Sequence, residues 1–258
     1  MKQLLALALG PILAVSILLL PEPLFNPIMD KIFAASLWMV IWWITEAVSI
    51  SITALLPIVI FPLLGVGTIG QVTVHYANPI VFLFFGGFVI ALALEKVALH
   101  KRMALHILKL TGPKANGVIF GFMLATALLS MWISNTASTV VMLPMALSVY
   151  KLVKKKTQKN KKKLRRFAVS LMLGIAAAAN IGGMATLIGT PPNSVMLAFL
   201  NEQYQVDIGF FQWMTFGVPL SALLLAVAYW IIVRWAYPSG LGLLDSAHDI
   251  IEDELHAL

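Results

Sequence analysis

Apolar residues run along this chain in blocks rather than in stripes. Over 4–20, 31–48, 49–64 and 78–94, polar side chains are too sparse to make a solvated face. A bilayer-spanning helix needs about 20 predominantly apolar residues, so each block predicts a membrane helix, with a turn at Pro21, Pro23 and Pro27 between the first two. Strands of an outer-membrane barrel would alternate apolar and polar positions over about 10 residues. Runs such as 32–44 are apolar on all sides, which excludes that architecture. The basic start, Met1-Lys2-Gln3, has the charge of a secretory signal, but Leu18-Leu19-Leu20-Pro21-Glu22 closes the block without a small-x-small cleavage site. It reads as an uncleaved first helix.

Residues 95–110 change character. Val97, Leu99, Met103, Leu105, Ile107, Leu108 and Leu110 alternate with Lys96, His100, Lys101, Arg102, His106 and Lys109, which predicts a basic amphipathic helix at the membrane surface. Two apolar helices follow, at about 115–132 and 136–150. Only Ile133-Ser134-Asn135-Thr136 separates them, so they form a helical hairpin. The next apolar stretch, 167–200, would measure about 51 Å as one straight helix, against a hydrocarbon core of about 30 Å. Thr190-Pro191-Pro192-Asn193 supplies a break in it. A polar loop at 201–212 leads to a last helix at about 213–235. An acidic tail with Asp245, Asp249, Glu252, Asp253 and Glu254 ends the chain.

Composition sharpens this picture. Of 258 residues 60% are hydrophobic and 11% charged, and the mean hydropathy of +0.92 excludes a soluble fold. Without cysteine there is no disulfide framework, thiolate nucleophile or thiolate metal site. The net charge of +7 does not point to nucleic acid, because 10 of the 18 basic residues crowd into 151–166, between apolar segments. That run reads as a cytoplasmic loop. Counting crossings from a cytoplasmic Lys2 puts 17 of the 18 basic residues inside and only Lys31 outside. The hairpin's ends lie on one side whether it turns within the membrane or crosses fully, so parity leaves both open.

Candidate chemistry sits where polar, helix-interrupting residues fall at membrane depth. One segment is Ser130-Met131-Trp132-Ile133-Ser134-Asn135-Thr136-Ala137-Ser138-Thr139. The other runs over 180–193 and includes Gly182-Gly183, Gly189 and Pro191-Pro192. Unwound backbone is tolerated at that depth only against protein or a polar cavity. Transporters exploit it by aiming freed carbonyls at a cation and half-helix N-termini at an anion. Ser130 and Ser134, at i and i+4 on one helix face, can offer hydroxyl oxygens together with the Asn135 amide oxygen and backbone carbonyls, and sodium is the plausible ion. Asn135 or Thr136 can cap the returning helix, while Pro191 and Pro192 suit the first turn of a half-helix.

The competing reading is packing, since Ser, Thr and Gly often mediate helix contacts, as Gly117-x-x-x-Gly121 is expected to do. Glu46 can be a proton or cation site, or an interfacial, structurally hydrogen-bonded carboxylate near a helix end. His100 and His106 lie on the amphipathic basic segment, where solvated residues belong. Catalysis is disfavoured. An intramembrane aspartyl protease needs two embedded Asp, a serine enzyme needs a Lys or His base near its Ser, and metal hydrolysis needs a His/carboxylate cluster, none of which the apolar runs hold.

At these two segments the chain resembles the divalent anion:sodium symporter family of sodium/dicarboxylate, citrate and sulfate cotransporters. Trp42-Trp43-Ile44-Thr45-Glu46-Ala47, Thr53-Ala54-Leu55-Leu56-Pro57, Ser134-Asn135-Thr136, Met142-Leu143-Pro144, Gly182-Gly183 and 185–193 occur in the family's order, over about 35–250. The resemblance implies an all-α polytopic membrane protein, one repeat of an inverted-repeat elevator-type transporter with a re-entrant hairpin and a broken helix. It implies sodium held by Ser130, Ser134, Asn135 and the backbone of Ile188 and Gly189. The anion would be lined by Asn135, Thr136 and Pro192. A homodimer in the inner cell membrane, N-terminus cytoplasmic, belongs to the same picture.

The organisation expected on this basis begins with scaffold helices over 1–95 and a cytoplasmic amphipathic helix over 96–114. A re-entrant hairpin over 115–150 and a basic loop over 151–166 follow. The broken and last helices occupy 167–235, and a cytoplasmic acidic tail 236–258. Family members carry a second, inverted repeat with its own Ser-Asn-Thr hairpin, and only one Ser-Asn-Thr is present here. The expectation is therefore the N-terminal half of a sodium-coupled carrier of a divalent organic anion, a C4 dicarboxylate. The alternative is a non-transporting membrane scaffold or assembly subunit.

Overall fold

The computed structural model describes residues 2–156 and 160–242; the expected acidic tail lies almost wholly outside them. Eleven α-helices make up the described residues: α1 (Lys2–Leu18), α2 (Pro27–Thr45), α3 (Ile50–Leu63), α4 (Ile69–Tyr76), α5 (Pro79–Lys96), α6 (Leu99–Leu110), α7 (Ala115–Ser130), α8 (Asn135–Lys156), α9 (Lys161–Gly183), α10 (Pro191–Tyr204) and α11 (Phe210–Trp230), which continues as a π-helical turn over Ile231–Ala236. Among the described residues, five stretches are long and apolar enough to cross a membrane: Pro27–Thr45, Ile69–Leu94, Asn135–Lys155, Lys161–Gly183 and Phe210–Ala236. The polytopic all-helical architecture is as expected.

Two compact units divide between Phe82 and Leu83. In the first, α1 packs on α2, where Trp42 Nε1 donates to Leu7 O at 3.1 Å and the Trp38 and Trp42 rings meet edge to face at 5.2 Å. Gly10 makes that approach possible, since a Cβ there would come within 2.6 Å of the Trp38 ring. The second helix starts four residues earlier than the apolar pattern suggests. Asn26 caps it, Pro27 takes the first turn, and the Asp30 carboxylate accepts from Leu24 N and Phe25 N at 3.0 Å each. Glu46 is the exposed, left-handed residue that closes it, directly after the apolar stretch Pro27–Thr45. The short α4 was not foreseen; a capping box between Thr68 and Gln71 sets its start.

In the second unit, α7 and α9 form the central pair, flanked by α6, α8 and α11. Phe122, Ile119 and Met123 interleave with Phe167, Leu171 and Ile175 in one buried cluster. Lipid tails are as apolar as these side chains, so dispersion and close backbone approach must hold the pair together. Small residues permit it: Gly182 packs directly against the Ala127 backbone, and Gly174 against Met123. Gly117 and Gly121 act as the expected packing pair, facing Thr111 and Leu108 at the end of α6.

The amphipathic helix begins at Leu99 rather than Glu95, because α5 runs on through Lys96 and Ala98 adopts φ 52°, which breaks the helix. Part of its apolar face, Ala104, Leu105 and Leu108, is buried in protein, while Met103 and Leu110 remain exposed.

Candidate functional site

Two interruptions meet inside the second unit. The first is the turn 131–134 between α7 and α8, and the second is the unwound stretch 184–190 between α9 and α10. Their meeting follows from length. The basic stretch expected as a loop over 151–166 is mostly helical, since α8 runs on through Lys156 and α9 begins at Lys161; from that junction the apolar parts of α8 (back to Asn135) and α9 (167 to Gly183) each extend roughly 25 Å at 1.5 Å per residue. Two arms of equal reach from one junction end at the same depth.

Side-chain hydrogen bonds join the two ends. The Ser130 hydroxyl, fully buried, donates toward Ala179 O at 2.6 Å and Asn135 Oδ1 at 2.7 Å. The one hydroxyl proton serves two acceptors there, and three oxygens converge. Asn135 Nδ2 donates to Asn180 Oδ1 at 3.1 Å. The buried Thr186 hydroxyl donates to Met131 O, across the interface, and accepts from Gly189 N at 3.1 Å. Gly183 packs against the Asn135 amide, and Gly189 against Gly183 O and Ser130 O, both with no room for a Cβ.

The unwound carbonyls have specific partners. Asn193 Nδ2 donates to Gly183 O at 3.0 Å and Thr186 O at 2.7 Å; Trp213 Nε1 donates to Met184 O at 3.0 Å; Ser194 Oγ reaches Leu187 O at 3.4 Å. In a continuous helix Leu187 O and Ile188 O would receive the N–H groups of residues 191 and 192, but both are proline and have none. Ser194 compensates Leu187. Ile188 O has no such substitute among the described residues.

Several expectations need correction. The helix break begins at Met184, ahead of Thr190, whereas Pro191 and Pro192 open α10 as expected of the first turn of a half-helix. Ser130 and Ser134 do not share a helix face, since α7 ends at Ser130. Ser134 Oγ turns toward its own following helix and accepts from Ala137 N at 3.2 Å, so Ser134 caps α8 rather than Asn135 or Thr136. That frees the Asn135 side chain for Ser130 and Asn180. Asn135 is half-buried, whereas Thr136, Asn180 and Pro192 are exposed beside the buried oxygens. Pro191 and Pro192 offer no N–H, and Asn193 N is used by Thr190 O at 3.2 Å. The α10 terminus thus contributes dipole, while the orphan N–H groups are those opening α8, at Asn135 and Thr136.

Thr186, Asn180, Asn193 and the Ala179 carbonyl belong to this constellation and were not singled out from sequence. Three of them are polar residues within the interrupted segment, which is the signal that marked it.

The donors are hydroxyl, amide and carbonyl oxygens. No group of three or more His, Cys, Asp or Glu occurs among the described residues, which disfavours a transition metal and suits a hard monovalent cation. Two interrupted membrane helices joined at their breaks are an arrangement that transporters use. The chain belongs to the citrate transporter family, whose model matches residues 40–245. It is 39% identical over 260 residues to the sodium-dependent dicarboxylate transporter SdcS of Staphylococcus aureus strains USA300, NCTC 8325 and COL, covering 99% of this chain and 50% of each relative. The chain thus spans about half the length of the curated relatives it matches. Family and relatives are transporters, not enzymes.

Proposed function

We propose that this chain is the N-terminal, ion-binding repeat of a sodium-coupled carrier for a small divalent organic anion, a C4 dicarboxylate. Sodium is cargo here, held by Ser130 Oγ, Asn135 Oδ1 and the carbonyls of Ile188 and Gly189, with Ser134 at the rim. Asn135, Thr136 and Pro192 line the anion on the exposed side. The observation that carries this reading is the convergence of Ser130 Oγ, Asn135 Oδ1 and Ala179 O where the two interruptions meet. Such a cluster is electron-rich, and a cation stabilises it. The relatives' sodium-dependent dicarboxylate transport supports the same assignment.

The architecture in this proposal is that of an inverted-repeat elevator carrier. Its helical hairpin is re-entrant: α7 has 16 residues and about 24 Å of length, short of a hydrocarbon core of about 30 Å. Residues 1–95 form scaffold, 96–114 a cytoplasmic helix, and the basic junction of α8 and α9 over 151–166 lies on the cytoplasmic side with the tail, 236–258. The unit works as a homodimer with a second repeat that completes the anion site, N-terminus inside by the positive-inside rule.

The test is thermal unfolding of the purified chain in sodium chloride against potassium chloride at equal ionic strength, with and without succinate, beside Asn135→Ala. A ligand bound only by the folded state stabilises by about 2.7 kcal/mol at a hundredfold excess over its Kd. A sodium-specific rise in Tm that disappears in Asn135→Ala is expected. Identical melting in the two salts would overturn the sodium site. Succinate uptake into proteoliposomes under a sodium gradient then separates a carrier from a scaffold subunit.

A further inference from the structure

The junction of α8 and α9 carries charge that the ion and anion site leaves unused. Lys151, Lys154 and Lys155 share one face of α8 at i, i+3 and i+4, and Lys161 opens α9. With Leu164 they line a groove of about 490 Å³. The four lysines are exposed, Leu164 is buried beneath them, and no carboxylate pairs with them among the described residues. Like charges spaced this way repel along a helix, so the cluster is a standing demand for an anion. Lysines in the last turns of α8 also complement its carbonyl end, but that role does not require Lys161 to join them across a groove.

Depth identifies the anion. Asn135–Lys155 and Lys161–Gly183 are each long and apolar enough to cross a membrane, and the lysines lie at the shared end of both. That end is where lipid headgroups sit. We propose that the groove binds the phosphodiester headgroup of an anionic phospholipid, with the ammonium groups of Lys151, Lys154, Lys155 and Lys161 on the phosphate. Leu164 would meet the start of the acyl region. The N–H groups of the first turn of α9 add to the field; Asn160 Oδ1 takes only that of Lys163, at 3.3 Å. A free phosphate would use the same charges without the apolar floor. Basic pockets between membrane helices at the cytoplasmic side are suited to such headgroups.

The test is native mass spectrometry of the delipidated full chain titrated with phosphatidylglycerol or phosphatidylcholine, for the wild type, K154Q/K155Q/K161Q and K154R/K155R/K161R. Each lysine near an anionic headgroup contributes about fivefold in affinity, so the glutamine variant should bind phosphatidylglycerol on the order of a hundredfold more weakly. The arginine variant should retain it, and phosphatidylcholine should bind weakly throughout. Equal binding of the two lipids, or unchanged binding by the glutamine variant, would overturn the proposal. Displacement of phosphatidylglycerol by millimolar inorganic phosphate would overturn it in favour of a free-phosphate site. Tighter phosphatidylglycerol binding after neutralising Asp245, Asp249, Glu252, Asp253 and Glu254 would assign the groove to that acidic segment instead.

Discussion

The Ser130 hydroxyl oxygen lies 2.7 Å from the Asn135 amide oxygen, across the turn that joins α7 to α8, and reaches Ala179 O on α9 at 2.6 Å. One side chain thus ties the hairpin tip to the facing helix, and three oxygens converge there. Ser130→Ala removes the tie without changing volume much, so the chain should fold with a loss of about 1–3 kcal/mol, the cost of leaving a buried acceptor without its donor. The sodium-specific rise in Tm should vanish with it. A rise that survives in Ser130→Ala would take Ser130 out of the ion site.

Much of this was legible in sequence because bilayer helices are specified by long apolar blocks, which need no knowledge of partners. Both interruptions were visible for the same reason, as polar and Gly/Pro residues where a helix should be unbroken. The end of α9 was not. Two prolines mark the start of the next helix, but α9 stops at Gly183 because that residue packs on Asn135 and its carbonyl is taken by Asn193, ten residues on. Ser134 was misjudged for a related reason: capping of α8 depends on where α7 ends, and a turn of four residues hides that boundary. The start of α2 was readable, from Asn26 followed by Pro27, and was obscured by reading the prolines as a turn alone.

Gly183 separates site geometry from fold. A Cβ there would overlap the end of the Asn135 side chain, which can rotate away, whereas one at Gly182 would overlap the Ala127 backbone, which cannot. Gly183→Ala should therefore keep the fold and lose the sodium-specific stabilisation. Gly182→Ala should push α7 and α9 apart and lower Tm in any salt. Gly86→Ala, where nothing lies within 4 Å, should leave melting within about 0.5 kcal/mol of the parent. Sodium titrations of the three variants by thermal unfolding check the order, and equal behaviour of Gly182→Ala and Gly183→Ala would count against it.

Thr186 is the second tie. Its buried hydroxyl donates to Met131 O in the hairpin turn and accepts from Gly189 N at 3.1 Å. Thr186→Val keeps the shape and removes both bonds, leaving a buried N–H and a carbonyl without their partner, at a cost of about 2–4 kcal/mol. Thr186→Ser retains the hydroxyl and should melt within about 1 kcal/mol of the parent. Denaturation of the two variants in parallel decides the matter: if serine and valine destabilise alike, the methyl packing and not the hydroxyl holds the turn.

Asn193 holds the break open. It is 8% exposed, and its amide spends both protons on the unwound chain, one on Gly183 O at 3.0 Å and one on Thr186 O at 2.7 Å. Those carbonyls face protein, and no water of the bilayer interior can replace the donor. Asn193→Ala orphans two acceptors and should cost about 2–6 kcal/mol, at about 1–3 kcal/mol for each. Asn193→Asp is nearly isosteric yet turns an oxygen toward two oxygens, so it should be less stable than the alanine variant although it changes volume less. A purely steric role predicts the opposite order, with aspartate close to the parent and alanine the worst, since alanine leaves the larger cavity. Comparing the unfolding midpoints of the two variants in potassium chloride, where sodium binding does not contribute, distinguishes donor from filler. A midpoint for Asn193→Asp above that of Asn193→Ala would show that the amide protons do not hold the unwound stretch in place.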